Sequence, residues 1–171
     1  MRSSPFDETP VYNAIIDDLQ EALWRRFFPI AKQTGELSEQ EKNTTLNKLA
    51  MAARSDDNIW RPTVAGLLMA SAQPERFLPN AYIQAVAYVG DTVIPGDANV
   101  YQLDAHDITG QLDKQIFAAC DFVQKNMQVA ARKSSSGGRV DIPQYDMLTI
   151  FEAVNNAVAH RDYSLGGSKI R

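Results

Sequence analysis

One amphipathic segment near the end of the sequence constrains the fold more than any other feature. Apolar side chains recur there every three or four residues, the spacing that places them along one face of an α-helix. The stripe consists of Met147, Ile150, Phe151, Val154 and Val158. Such a face has to pack against a sheet or another helix. The sequence therefore predicts a helix over about 144–160 with one side against the protein body.

Two polar residues lie one turn apart on the opposite side of this predicted helix. They are Glu152 and Asn156, and His160 and Tyr163 fall close to the same side. An amide oxygen can ligate a hard cation such as Mg²⁺, and a carboxylate can orient or deprotonate a water molecule. Glutamate and asparagine at this spacing also occur on ordinary solvated helices. The pair becomes a candidate site only if the surrounding sequence supports it.

The surrounding residues supply that support through a family resemblance. The run from Glu152 to Tyr163 contains Glu-x-x-x-Asn-Ala followed by His-Arg-Asp-Tyr, which resembles the N-box of the GHKL ATPases, such as gyrase B, MutL and histidine kinases. The longer run EAVNNAVAHRDYSLGGSKIR is similar to a bacterial and archaeal family of transcriptional regulators. In that family an AlbA-like, Schlafen-type domain precedes a GHKL-type ATP-binding domain, often labelled RecG-like C-terminal. Other stretches resemble the same family: FDETPV, RPTVAGLLMAS, PERFLPNAYIQAV, ITGQLDKQI, AARK and DIPQY.

The resemblance places three residues at the nucleotide site of an intact parent protein and gives two of them a role. Glu152 matches the general base or water-orienting carboxylate, and Asn156 matches the Mg²⁺ ligand that bridges to the triphosphate. His160 matches the family's nucleotide-binding run, although the resemblance assigns it no individual role. It therefore implies Mg·ATP as the cofactor, nucleotide and DNA as partners, and a homodimer as one assembly open to the parent.

The resemblance also implies that this sequence is a fragment ending just after the N-box. GHKL sites need a further Asp-x-Gly-x-Gly box, which reads adenine, and a glycine-rich segment under the phosphates, and neither occurs before Arg171. We therefore expect the 171-residue chain itself to lack ATPase activity and to hold no cofactor. The alternative left open is a non-catalytic connector or dimerisation module of a DNA-binding regulator.

Composition narrows the class of protein. Hydrophobic residues make up 44% and charged residues 22%, as in ordinary soluble globular proteins. The net charge of −4 argues against a main nucleic-acid surface, which needs clustered Lys and Arg. The single cysteine, Cys120, excludes an internal disulfide and a cysteine-based zinc site. No membrane-span-length apolar run and no signal-peptide core are present, so we expect a cytoplasmic protein without membrane contact.

The element pattern predicts an α+β fold in three parts. Residues 1–14, with two prolines, form an N-terminal arm or linker. Residues 15–107 form a helical connector with a β-hairpin, in a winged-helix-like arrangement. The acidic balance favours a structural connector there over DNA contact. Residues 108–171 form the beginning of a GHKL (Bergerat-type) ATP-binding α/β sandwich, an expectation that rests on the resemblance.

Local signals place the elements within these parts. Helices are expected to begin at Asp17, at the Ser38 capping box and at Thr63. Residues 81–90 and 99–108 are expected to pair as a hairpin, since both are rich in β-formers.

A long helix over about 110–129 is predicted from a second apolar stripe. The stripe consists of Ile108, Leu112, Ile116, Ala119, Cys120, Val123 and Met127. The Ser-Ser-Ser-Gly-Gly run at 134–138 then indicates a solvated linker. A phosphate-binding nest beside Arg132, Lys133 and Arg139 is the less favoured alternative, because no P-loop Lys and Ser follow. Pro143 is expected in the first turn of the last helix.

Overall fold

A computed structural model describes residues 5–29, 34–90, 102–134 and 137–165. Within these ranges the protein is a mixed α+β structure with five α-helices, short 3₁₀ turns and three two-stranded antiparallel sheets. The predicted α+β class is confirmed. None of the helices in these ranges is long and apolar enough to cross a membrane.

The described residues divide into two compact units. The first comprises residues from 5–82, 109–113 and 162–165, and the second comprises residues from 83–108 and 114–161. Each unit has its own elements and is considered separately below.

The first unit is built around small helices and one short hairpin. Its regular elements are α1 (Glu21–Trp24), α2 (Glu39–Lys48), β1 (Ala52–Arg54), β2 (Trp60–Pro62) and α3 (Val64–Ala70). Their apolar faces meet in one cluster of buried side chains: Ala14, Leu19, Trp24, Phe28, Leu46, Met51, Ala52, Leu67 and Ala70.

The helix expected to begin at Asp17 begins later. Ile16–Asp18 forms a 3₁₀ turn, and α1 starts only at Glu21. The backbone N–H of Gln20 donates to the carbonyl of Ala70, 2.8 Å away, instead of continuing a helix from Asp17. A tertiary hydrogen bond to α3 therefore overrides the local helix signal, and the prediction of the start was wrong.

The predicted caps of α2 and α3 are confirmed. Ser38 Oγ accepts from the backbone N–H of Glu41, and the Glu41 carboxylate accepts from the N–H of Ser38, which completes the capping box. Thr63 Oγ1 accepts from the N–H of Gly66 at 3.0 Å. These contacts satisfy N–H groups that have no partner inside the helix.

The capping box gives a direct stability test. We expect Ser38→Ala to lower the free energy of unfolding by about 1 kcal/mol, because an N–H of the first turn loses its acceptor. Thr44→Ala, at an exposed position of the same helix, is the matched control and should be neutral or slightly stabilising, since alanine is the better helix former. Urea denaturation of both variants measures the difference. Equal midpoints for the two would mean that the box contributes nothing.

The β1–β2 hairpin was not predicted. The sequence analysis placed no strands there, whereas β1 ends at Arg54 and β2 begins at Trp60. Arg61 braces the turn by donating to the Asp57 carboxylate at 2.8 Å. The Ser55 hydroxyl and Arg61 lower the pKa of Asp57 to about 2. Three-residue strands are too short to show an alternating pattern, so these strands could not be predicted from the sequence.

The second unit contains the longer elements. They are β3 (Ile83–Tyr88), β4 (Gln102–Ile108), most of α4 (Leu112–Asn126), β5 (Val129–Lys133), β6 (Arg139–Pro143) and α5 (Met147–Ala159). The predicted β3–β4 hairpin is confirmed, with Ile83 opposite Ile108 and Ala85 opposite His106. Residues 91–98, in its expected connection, and 99–101 of its second strand lie outside the described residues.

The apolar stripe of α4 faces inward, as predicted. Ala119 and Cys120 are buried, and the other members of the stripe are half-buried. Burial raises the pKa of the Cys120 thiol, which fits its interpretation as a small hydrophobe rather than a nucleophile.

The β5–β6 hairpin is the second element that the sequence analysis missed. The run at 134–138 lies between two paired strands, and only residues 135 and 136 of it are not described. Pro143 is the last residue of β6 rather than part of the first turn of α5, so its predicted position was wrong. The cap of α5 is Asp146, whose carboxylate accepts from the backbone N–H of Thr149 at 2.9 Å. These bonds lower the pKa of Asp146.

Candidate functional site

Helix α5 presents the predicted polar pair on its solvent side. Glu152 and Asn156 are both exposed, whereas Val158 is only 3% exposed and the rest of the apolar stripe is half-buried. The two side chains lie on consecutive turns, about 6 Å apart along the helix axis. The helix therefore holds a carboxylate and a carboxamide side by side on a well-backed surface.

The structure distinguishes Asn156 from its neighbour Asn155. The amide nitrogen of Asn155 donates to the Phe151 carbonyl of the same helix at 2.9 Å, and the residue is half-buried. Among the described residues, no hydrogen bond or ion pair engages the side chains of Glu152 or Asn156. Asn156 and not Asn155 is thus placed to meet a ligand from solvent.

His160 lies at the end of the same helix, further from Glu152 than Asn156 is. It is the C-terminal cap residue, and its backbone N–H donates to the carbonyl of Asn156 at 3.0 Å. Its side chain is exposed. At 1.5 Å per residue, His160 is about 12 Å from Glu152 along the axis. It borders the pair without joining it.

Tyr163 does not lie on α5, contrary to the sequence analysis. Helix α5 ends at Ala159, and the chain turns at Asp162, whose carboxylate accepts from the N–H of Ser164 at 2.9 Å. Tyr163 then packs against a small cluster in the first unit that contains Val64, Leu68 and Ala81. The helical projection failed because the helix stops before this residue.

The donor set suits a cation held mainly by phosphate oxygens. No group of three or more His, Cys, Asp or Glu side chains that could hold a metal occurs in the described part of the chain. Mg²⁺ commonly takes only one or two protein ligands together with waters and substrate phosphates. One amide oxygen beside one carboxylate fits that requirement and not that of a metal site built from protein ligands alone.

A different polar cluster in the second unit is structural. The Asp104 carboxylate accepts from Lys125 at 2.9 Å and from Asn126 at 3.2 Å, and it lies 3.1 Å from Nε2 of His106. The Lys125 ammonium, helped by Asn126, lowers the pKa of Asp104. This cluster fastens β4 to α4. His106 is held in this cluster beside Asp104.

An open groove of about 800 Å³ lies beside the same elements. It is lined by apolar and aromatic side chains that include Val86, Leu103 and Phe122. Two amide residues at its edge bond each other, since the backbone N–H of Gln128 donates to the side-chain oxygen of Gln144 at 3.0 Å. The groove offers contact area but little to orient a ligand.

Comparison of the chain with family models, with curated proteins and with solved structures gave no match. The candidate site is therefore defined by the residues of α5 and by the sequence resemblance.

Proposed function

We propose that this chain is part of an ATP-binding transcriptional regulator whose intact, cytoplasmic parent joins a GHKL-type ATPase domain to a DNA-binding domain. Helix α5 would contribute the N-box of the nucleotide site. The observation that carries the proposal is the exposed Glu152–Asn156 pair on a helix whose opposite stripe is buried at Val158 and half-buried elsewhere. The N-box resemblance gives that geometry its chemical interpretation.

Asn156 and Glu152 would have separate roles in ATP hydrolysis. Bound Mg²⁺ would neutralise charge on the phosphates. The amide oxygen of Asn156 would hold the cation, and Glu152 would align the attacking water and accept its proton. The water oxygen then bonds to the γ-phosphorus as the bond to the bridging oxygen of ADP breaks. His160 would border the nucleotide.

The 171-residue chain alone should not bind nucleotide tightly. Two side chains on one helix leave the adenine and most of the triphosphate without protein contacts, and neither the Asp-x-Gly-x-Gly box nor the glycine-rich phosphate segment occurs in the sequence. Titration calorimetry with Mg·ATP at micromolar protein should therefore show no saturable heat. A micromolar Kd would contradict the view that this site needs the missing boxes.

One observation favours a second candidate, a connector or dimerisation module without catalysis. Phe117 and Leu148 are 60% and 66% exposed, and the Phe117 ring lies 5.8 Å from that of Phe151. Neighbouring exposed apolar side chains often mark a protein contact. Sedimentation equilibrium tests this candidate. A dimer that dissociates in the Leu148→Asp variant, and whose dissociation constant in the intact parent does not change with Mg·ATP, would favour it.

A further inference from the structure

The β5–β6 hairpin is exposed over its whole described length. All ten residues of β5 and β6 are solvent-exposed, so neither face of this two-stranded ribbon is covered by the described residues. Hairpins this bare are unusual, because an isolated two-stranded ribbon is marginally stable in water. We therefore expect the exposed hairpin to bind a partner.

The charge of the hairpin indicates which partner. Arg132, Lys133 and Arg139 lie at its tip, and the strands contain only one carboxylate, Asp141. This local excess of positive charge runs against the net charge of −4 of the whole chain. Asp141 is bound to Arg139, whose Nε lies 2.6 Å from its carboxylate oxygen. Arg132 and Lys133 have no ion-pair partner among the described residues.

The strand register adds a second observation. Lys133 is directly opposite Arg139 in the register, and Arg132 is opposite Val140. Directly opposed side chains share a face of the ribbon with Cβ atoms about 5 Å apart, and like charges in that position are destabilising. The tip therefore holds two cations on one face and a third on the other. Asp141 lies on the same face and offsets Arg139 in part, but exposed ion pairs are weak, so an anion bound between Lys133 and Arg139 would relieve the remaining repulsion.

We propose that the β5–β6 hairpin is an arm that binds the phosphate backbone of duplex DNA. The major groove of B-DNA is about 12 Å wide and admits a two-stranded β-ribbon. Each strand of the hairpin spans about 17 Å at 3.4 Å per residue, long enough to reach across a groove edge. Cations on both faces of the tip can contact the two phosphate chains that border the groove. The proposal uses no contact of Glu152 or Asn156.

The β1–β2 hairpin does not suit this role. The β1–β2 hairpin carries two cations, Arg54 and Arg61, and the turn between its strands contains two carboxylates, Asp56 and Asp57, so it has no excess of positive charge. A phosphate would gain no net electrostatic attraction there. This contrast favours β5–β6 over β1–β2 as the DNA contact.

The proposal is tested by fluorescence anisotropy with the 171-residue chain and a labelled 20-base-pair duplex, without nucleotide. Three phosphate contacts predict a salt slope near −2.7, so affinity should fall roughly 40-fold between 50 and 200 mM salt. The double variant Lys133→Gln/Arg139→Gln should bind at least about 10-fold more weakly at 50 mM. Its slope should be about −1, because only Arg132 remains.

A charge-matched variant controls for the loss of net positive charge. Lys48→Gln/Arg76→Gln removes one lysine and one arginine from exposed positions of the first unit, and its affinity should stay within about twofold of the unmodified chain. The exchange Lys133→Arg/Arg139→Lys should retain DNA binding, which separates charge from folding defects. Equal losses in the two glutamine variants would overturn the proposal. Binding to vesicles of anionic lipid, or to single-stranded DNA, in preference to the duplex would also overturn it.

Discussion

Replacing Glu152 by Gln in the intact parent is expected to lower ATP turnover by about 10²–10⁴-fold while leaving Mg·ATP binding unchanged. This prediction rests on the proposed function. A carboxylate that acts on the attacking water contributes mainly at the transition state, so its loss lowers turnover and spares affinity. Asn156→Ala should instead weaken Mg·ATP binding. A Mg²⁺ ligand stabilises the bound triphosphate in the ground state, so its loss weakens binding itself. Calorimetry and single-turnover hydrolysis separate the two effects.

The chain offers a matched control one residue away. Asn155 has the same side chain as Asn156 but bonds the Phe151 carbonyl of its own helix. Asn155→Ala should therefore leave both nucleotide binding and hydrolysis near the unmodified level. Both Glu152 and Asn156 are exposed, so their substitution should cost the fold little. If both changes were as silent as the control, the pair would be ordinary helix surface, and the family interpretation of the site would fall.

The long helices were predictable because their signals are repeated. The stripes of α4 and α5 each give several turns of consistent spacing, and burial follows both. The caps at Ser38 and Thr63 were also predictable, since each is a local contact within three residues of sequence. The same periodicity predicts which side of α5 is exposed, and Glu152 and Asn156 lie on that side.

The missed features depend on contacts that a local pattern does not contain. The start of α1 is set by a bond from Gln20 to Ala70, which lies fifty residues away in sequence. Strand β5 shows no alternation of polar and apolar residues, and the alternation in β6 lasts only four residues before Pro143, which the sequence analysis assigned to the last helix. Within the site, the difference between Asn155 and Asn156 depends on which amide finds the backbone of its own helix.

Gly66 shows how such a nonlocal contact can reverse a local rule. Gly66 lies inside α3, where helix propensity alone favours alanine over glycine by about 1 kcal/mol. A Cβ built on Gly66 would lie 2.0 Å from the backbone oxygen of Met51 and 2.8 Å from its carbonyl carbon. That carbonyl also accepts a hydrogen bond from the N–H of Thr63 at 3.0 Å, so it cannot turn away without losing a bond. The propensity rule and the packing contact thus predict opposite signs.

We expect packing to prevail, so that Gly66→Ala lowers the free energy of unfolding by about 2–4 kcal/mol. Overpacking a well-packed core typically costs about 1–3 kcal/mol, and here the obstacle is backbone rather than a flexible side chain. Urea denaturation measures the loss. Gly138→Ala makes the same substitution where a Cβ would meet nothing within 4 Å, and it should change stability by less than about 0.5 kcal/mol. A Gly66→Ala variant as stable as Gly138→Ala would mean that α3 can move away from Met51. The close approach that joins α3 to the end of α2 and β1 would then not be required by the fold.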